Sequence, residues 1–410
     1  MPSSHRFRDH AAALATVLCW YALALLLFHS LAGGTLLDPN PYDSYTLQAQ
    51  NWLAGRNYIA DGESYSWLEL AIYNGRYYQS FPPVPAVLLL PWAAAFGSAV
   101  PSNLFIALWG LLAAAGVYAC FWKRGAEPSR AAFFALFCLM GSNLFWLSTS
   151  GGVWFLAQVC GFALAVWGIF WALCGSAWGQ ALAGLCLAAA VGCRPFYAVL
   201  LALWGCSLLL RAYRGRVPRR WLAAAAVPVA LVAAAMMAYN AVRFGSVLEF
   251  GHNYLPEFQR EETGQFNLEY LLPNLLQLLR PVTLDSRLQL HFEVFNGFLF
   301  FVANPLFLYW FCSGVAQRRH PLPAAQDAPL PRNGLLLAGC CLAVTLMTCM
   351  HRTLGGWQFG ARYLVDLFPL ILLWYLGREP SGRRPGTGGW ALCGMAMLFN
   401  LYGAVYMLNA

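Results

Sequence analysis

Apolar residues fall in runs of roughly 17 to 25 along most of the 410-residue chain, each continuous rather than alternating. Continuous runs of that length predict helices that span a bilayer, and they argue against the period-two pattern of a β-barrel. Spans are expected at 11–32, 131–149, 157–174, 180–193, 195–210, 221–242, 296–313, 334–350, 363–376 and 390–409. Residues 84–122 hold a short run, 84–97, and a full one, 103–122, separated by Gly97-Ser98 and Pro101. The charge pattern requires an odd number of crossings there, so 84–97 either lies re-entrant or interfacial, or departs from the rule. The expected fold class is an all-α polytopic membrane protein of about 11–12 transmembrane helices, a single membrane domain over 1–410.

Arginine-rich segments alternate with acidic ones and give the orientation. The N-terminus, Lys123–Arg130, Arg211–Arg220, Arg318–Arg332 and Arg378–Arg384 carry sixteen of the twenty-five Lys and Arg, but only four acids, Asp9, Glu127, Asp327 and Glu379. They are expected on the cytoplasmic side. Outer loop 1 at 33–83, a short segment at 150–156, outer loop 2 at 243–295 and outer loop 3 at 351–362 then lie on the opposite face. The first run follows His5-Arg6-Phe7-Arg8 and is too long for a signal-peptide core, so it is expected as an uncleaved first span.

Composition agrees: sixty percent apolar residues, ten percent charged and a mean hydropathy of +0.54 lie outside the soluble range. The net charge of +8 is almost wholly arginine and reports membrane topology and contact with the lipid bilayer rather than nucleic acid. The thirteen cysteines lie within or at the ends of apolar runs, without metal-type spacing, and read as packing residues. No phosphate loop, dinucleotide fingerprint or nucleophile elbow is present, which removes most support for nucleotide-driven transport and serine hydrolysis.

Outer loop 1 concentrates the chemistry. It holds Asp38, Asp43, Asp61, Glu63 and Glu69, five of seventeen acids. Tyr45, Ala49, Trp52 and Leu53 fall on one face of a short amphipathic helix, suited to lying along the membrane surface. Asp43 stands at its N-cap: it caps the helix, serves as a general base, or does both. Asp38, before Pro39, is the rival acid or a plain turn residue. Asp61-Gly62-Glu63 reads as a solvated turn, and Asn74-Gly75 predicts a hairpin between aromatic flanks. Arg76 holds a phosphate or snorkels to the interface. Arg194, in Gly192-Cys193-Arg194-Pro195, lies between two spans and needs a partner, or anchors a helix end. Outer loop 2 gathers Glu249, His252, Glu257, Arg260, Glu261 and Glu262 in no recognised metal pattern. Outer loop 3 offers His351, Arg352, Trp357 and Arg362, with Asp366 one turn into the next span. Two arginines beside aromatics suit a phosphate-bearing ligand, and positive charge on the outer face runs against the topology bias.

In order along the chain, PYDSYTLQAQNWLAGR, NGRYYQSFPPVPAVLLLP, GCRP, YNAVRFGSVLEFGHNY and GGWQFGARYL resemble the C-type glycosyltransferases that use polyprenyl-phosphate-linked sugars. The resemblance is to a bacterial subgroup related to the protein mannosyltransferase and aminoarabinose transferase families. It implies a multi-pass protein of the bacterial cell membrane, with a cytoplasmic N-terminus and its active site on the outer face. Its partners would be a polyprenyl-phosphate-linked sugar donor and a lipid, glycan or protein acceptor. Asp43 matches the family's catalytic acid best. The commoner Asp-Glu pair is here Tyr42-Asp43, which keeps Asp38 in play and leaves a divalent cation open; no cofactor is assigned. Arg194, Arg352 and Arg362, with Arg76 behind them, are the candidates for binding the donor phosphate. Tyr45, Tyr77, Tyr78, Glu249, His252, His351 and Trp357 are the candidates for substrate contact. Direct displacement with one base implies inversion at the anomeric carbon. The other classes carried forward are a lipid-linked saccharide transporter, which should place ionisable residues at mid-membrane depth, and a non-catalytic scaffold of envelope assembly.

Overall fold

The protein is known from a computed structural model that describes residues 4–260, 263–287, 289–319, 331, 333–378 and 384–410. Glu261, Glu262 and most of the basic segments 318–332 and 378–384 lie outside the described residues.

The chain is mostly helical. α1 (Ser4–Leu31) is followed by α2 (Ser44–Leu53), and a hairpin of β1 (Leu70–Tyr73) and β2 (Arg76–Gln79) leads to α3 (Val84–Phe96). Then come α4 (Ser102–Lys123), α5 (Pro128–Leu139), α6 (Leu144–Leu147), α7 (Val153–Ala172), α8 (Ala177–Val191), α9 (Ala198–Tyr213) and α10 (Arg220–Phe244). Outer loop 2 carries α11 (Pro256–Gln259), α12 (Leu271–Leu278) and a two-residue pairing of β3 (Thr283–Leu284) with β4 (Leu290–His291). The chain closes with α13 (Phe300–Ala303), α14 (Leu306–Arg319), α15 (Gly334–Cys349), α16 (Phe368–Arg378) and α17 (Thr387–Tyr406). Among the described residues, six helices are long and apolar enough to cross a membrane: α1, α4, α7, α10, α17 and the stretch Pro195–Tyr213. Five shorter apolar helices accompany them, Val84–Ala99 among them.

Helix α7 lies at the centre, packed against α4 and α8. Val153, Leu156, Val159, Phe162 and Val166 are fully enclosed, as are Phe105, Ile106, Val117 and Phe121 of α4. By contrast, α1 exposes Trp20, Leu23, Leu26 and Leu27, and α10 exposes Val227, Leu231 and Met237. Large apolar side chains turned outward in this number need an apolar solvent, which is what a bilayer supplies.

Two expected spans are broken, and a buried asparagine stands at each break. The run 131–149 divides between α5 and α6, and 296–313 divides between α13 and α14. At the breaks, Asn143 and Asn304 bond each other: Asn304 Nδ2 donates to Asn143 Oδ1 at 2.6 Å, and Asn143 N–H to Asn304 Oδ1 at 3.0 Å. Asn143 Nδ2 also donates to the Phe359 carbonyl at 2.6 Å, and its Oδ1 accepts from the Ala361 N–H at 3.2 Å. The interrupted helices thus supply the polar groups that satisfy outer loop 3, since buried backbone polar groups must be paired.

The hairpin is as the sequence predicts. Asn74 and Gly75 have φ of 50° and 71°, the pair of positive values that a type I′ turn requires and that Asn-Gly adopts most readily.

Candidate active site

Helix α2 is held mainly by protein, its polar face as well as its apolar one. Ser44, Tyr45, Thr46, Gln48, Ala49 and Asn51 are all buried, and the helix packs against α3. Its polar side chains are absorbed by protein partners: Gln48 Nε2 donates to Tyr239 OH at 2.7 Å, and Gln79 Nε2 donates to Ser44 Oγ at 2.7 Å. Arg243, stacked 4.0 Å from the Tyr239 ring, donates to the Gln79 carbonyl at 2.7 Å and to Asn240 Oδ1 at 3.0 Å. The start of α2 is therefore braced by β2 and α10.

Asp43 is the N-cap of α2. Its carboxylate accepts the Thr46 N–H at 3.0 Å and the Thr46 hydroxyl at 2.5 Å. Only 7% exposed, it is pushed up by burial to about 6, while the hydrogen bonds from Thr46 and Ser102 limit the rise. A carboxylate so held is mostly ionised at neutral pH yet more basic than an ordinary aspartate. Asp38 differs in its setting. It is exposed, ends a short 3-10 turn, and its described influence falls on His29 rather than on any arginine.

Two arginines meet the same tyrosine. Arg194 and Arg362 place their guanidinium carbons 4.7 and 4.8 Å from the Tyr363 ring centroid. Arg194 has the partner its position demands: Nη2 and Nε lie 2.8 and 3.1 Å from Asp366 Oδ2, and Tyr197 OH donates to Oδ1 at 3.3 Å. Burial opposes its charge, but Asp366 more than offsets this and holds the guanidinium above its ordinary value. Arg362 is 2% exposed and, among the described residues, bonds no carboxylate. It donates to Gln158 Oε1 at 3.0 Å and to the Gly355 carbonyl through Nη2 and Nε at 2.8 and 3.3 Å. Burial, first of all, pushes Arg362 down, and Arg194 adds repulsion. A cation stacked and held by neutral groups in this way retains its charge for an anionic ligand. Asp43 and Arg194 both act on the Tyr45 phenol, whose hydroxyl is buried without a hydrogen-bond partner.

The remaining arginines stand apart. Arg352 donates to the Glu257 carbonyl at 3.0 Å from a half-exposed position. Arg76 is exposed at the hairpin tip, 4.7 Å over the Tyr58 ring, and no described interaction brings it to Arg194 or Arg362. Of the candidate contact residues, Glu249 staples its own turn, accepting from Gly251 N–H at 2.6 Å and Asn253 Nδ2 at 2.9 Å. Tyr78 is buried in a small cluster with Ala71 and Phe244. Tyr77 is half-buried on β2, and Trp357 is exposed with its ring 5.9 Å from Trp146. His252 and His351 face each other at 6.3 Å between ring centroids. Burial lowers both to about 4, with Arg194 adding to the effect, so they are neutral at physiological pH and add no cation.

Glu69 and Trp154 were not singled out in the sequence as a pair. Trp154 Nε1 donates to Glu69 Oε2 at 2.9 Å, and the indole lies 5.8 Å from the Tyr42 ring, next to Asp43. Burial raises Glu69, Glu257 raises it further, and Arg362 opposes the rise. An apolar-flanked acid in a loop gives no pattern by which to find such a pairing. Asp366 did give a signal, as an acid at the start of a span in a chain where Arg194 lacked a partner. No group of three His, Cys, Asp or Glu among the described residues is placed to hold a metal ion, so no step is derived through one.

No family model and no curated protein matches the chain. Among solved structures, the fold is similar to that of ArnT from Cupriavidus metallidurans bound to undecaprenyl phosphate. Identity is 14% and the TM-score 0.47, covering 87% of this chain and 59% of that one. It is also similar to the oligosaccharyltransferase of Archaeoglobus fulgidus tethered with an acceptor peptide, at 12% identity and TM-score 0.48, covering 95% of this chain and 55% of that one. The chain spans less than two thirds of the length of either.

Proposed function

We propose that this chain is a membrane glycosyltransferase, moving a sugar from a polyprenyl-phosphate donor to an acceptor hydroxyl on the outer face of the bacterial cell membrane. The observation that carries the reading is the buried Asp43 carboxylate, which with Arg194 acts on the Tyr45 phenol, while Arg194 and Arg362 from two distant loops meet at the Tyr363 ring. The ordered sequence resemblance supports the donor class.

In this reading Asp43 takes the proton of the acceptor hydroxyl as its oxygen attacks the anomeric carbon. The bond from that carbon to the phosphate oxygen breaks through an oxocarbenium-like state, and the lipid phosphate leaves with the electron pair. One base and direct displacement give inversion. The departing phosphate gains negative charge, and Arg362 is the residue best placed to stabilise it. Arg194, neutralised by Asp366, orients Tyr363 beside Arg362.

Transfer from a radiolabelled polyprenyl-phosphate sugar in isolated membranes tests this. Asp43→Asn should lower turnover roughly 10²- to 10⁴-fold with expression intact, whereas Asp38→Asn should retain activity. Full activity in both variants would overturn the assignment. Movement of label across the membrane without covalent transfer would favour a transporter instead.

A further inference from the structure

A cavity of about 430 Å³ opens between outer loops 1 and 2, lined by Glu63, Tyr65, Glu69, Tyr77, Glu257 and Arg260 among others. Its size suits a mono- or disaccharide unit. Glu69 is part of its lining and joins it to the site described above. One carboxylate oxygen is taken by the Trp154 indole, while no described residue donates to the other. Trp154 in turn lies against Tyr42, the neighbour of Asp43, and Glu69 acts electrostatically on Arg362. Glu69, Trp154 and Tyr42 thus form a chain of contacts between the cavity and the residue next to the proposed base.

The lining states what fits. Three carboxylates against one guanidinium leave an excess of negative charge, and carboxylate oxygens accept from vicinal hydroxyls or from an ammonium. Tyr65 and Tyr77 offer ring faces and hydroxyls, the amphipathic surface that sugar rings cover. An anionic sugar would meet Glu63, Glu69 and Glu257 in the lining, where Arg260 is the cation and Arg362 acts on Glu69 from behind.

Resting on the transferase reading, we propose that this cavity is the acceptor subsite, and that it takes a neutral or amine-bearing saccharide and rejects an acidic one. The chain in nanodiscs is titrated, without donor, with methyl β-glucosaminide, methyl β-glucoside and methyl β-glucuronide, followed by saturation-transfer NMR. The glucosaminide should bind most tightly and the glucuronide not detectably. Glu257→Gln, an exposed position that leaves packing intact, should weaken the glucosaminide about tenfold and narrow its advantage over the glucoside. Glu69→Gln should do the same. Equal binding of glucuronide and glucosaminide, or unchanged binding in both variants, overturns the proposal. Polyprenyl phosphate binding, followed by native mass spectrometry, separates the two readings. If the lipid phosphate binds and no glycoside does, the subsite is wrong and the donor assignment stands. If glycosides bind with the expected selectivity and the lipid phosphate does not, the donor assignment is what fails.

Discussion

Arg194 and Asp366, 172 residues apart in sequence, form an ion pair at 2.8 Å with the aspartate side chain fully enclosed. Tyr197 donates to the oxygen that Arg194 leaves free, so both carboxylate oxygens are occupied. Breaking such a pair strands a buried charge, which costs about 3–5 kcal/mol. Arg194→Gln and Asp366→Asn should each lower stability by about that amount in a detergent-based unfolding titration. The double variant should cost less than the sum, because it removes both charges together. The same variants separate structure from ligand binding. If the pair is structural, both lose donor affinity alike, in step with stability; a loss confined to Arg194→Gln would identify Arg194 as a phosphate ligand.

Asp43 sets the pH dependence expected of the enzyme. A base works only when deprotonated, so kcat/KM should climb as pH rises through about 6 and level off above it. The Thr46 hydroxyl stabilises the ionised form, and Thr46→Val removes that hydrogen bond. The ascending limb should then move to higher pH, with the plateau retained. A limb unmoved by Thr46→Val would assign the titration to another group.

The helical framework was readable from hydropathy alone, because a bilayer demands long uninterrupted apolar runs and the chain obeys. Where the runs break, at Asn143 and Asn304, the sequence shows Gly141-Ser142 before the first and Pro305 after the second, short breakers that the hydropathy of the surrounding run outweighs. The gain that offsets the lost helical turns is a bond to a loop some two hundred residues away. Asp43 was legible because capping is local chemistry, three residues from acceptor to donor. Which arginines converge was not. Arg76, Arg194, Arg352 and Arg362 look alike in sequence, and only the folded chain pairs Arg194 with Asp366 while leaving Arg362 to neutral partners. Glu69 stood out only as one of five acids in its loop, and its pairing was not legible, since it follows from an indole 85 positions onward.

Arg362 depends on Gly355. That residue has φ of 114°, and a Cβ there would stand 2.8 Å from Arg362 Nε. Its carbonyl also accepts from the same guanidinium, so Gly355→Ala combines backbone strain of about 1–3 kcal/mol with displacement of the cation. Arg362→Lys keeps the charge but loses the planar fork that spans Gln158 and Gly355. Turnover should fall roughly 10²- to 10³-fold in Arg362→Lys, as for loss of one donor to a developing anion. Gly355→Ala should fall in the same direction, and polyprenyl phosphate affinity should weaken in both. Wild-type affinity in Arg362→Lys would place the phosphate elsewhere.

His252 and His351 make outer loops 2 and 3 sensitive to acid. Their folded values are lowered from 6.5 to about 4, chiefly by burial. Between those limits the unfolded chain binds more protons than the folded one, so their contribution to stability is complete above about 6.5 and is lost as pH falls towards 4. Asp43 acts with the opposite sign. Its value is raised, so its protonated form favours the fold, and that advantage fades as pH rises from 3.8 to about 6. Glu69, also raised by burial, acts with Asp43, but the histidine window opens first, just below 6.5, so acidification from pH 7 leaves a net loss. The melting temperature should therefore drop between pH 7 and about pH 5. The drop should shrink in the double variant His252→Asn, His351→Asn, and deepen in Asp43→Asn, where one opposing group is gone. A melting temperature that stays flat across this range in the wild-type chain would mean that the two imidazoles reach solvent on protonation.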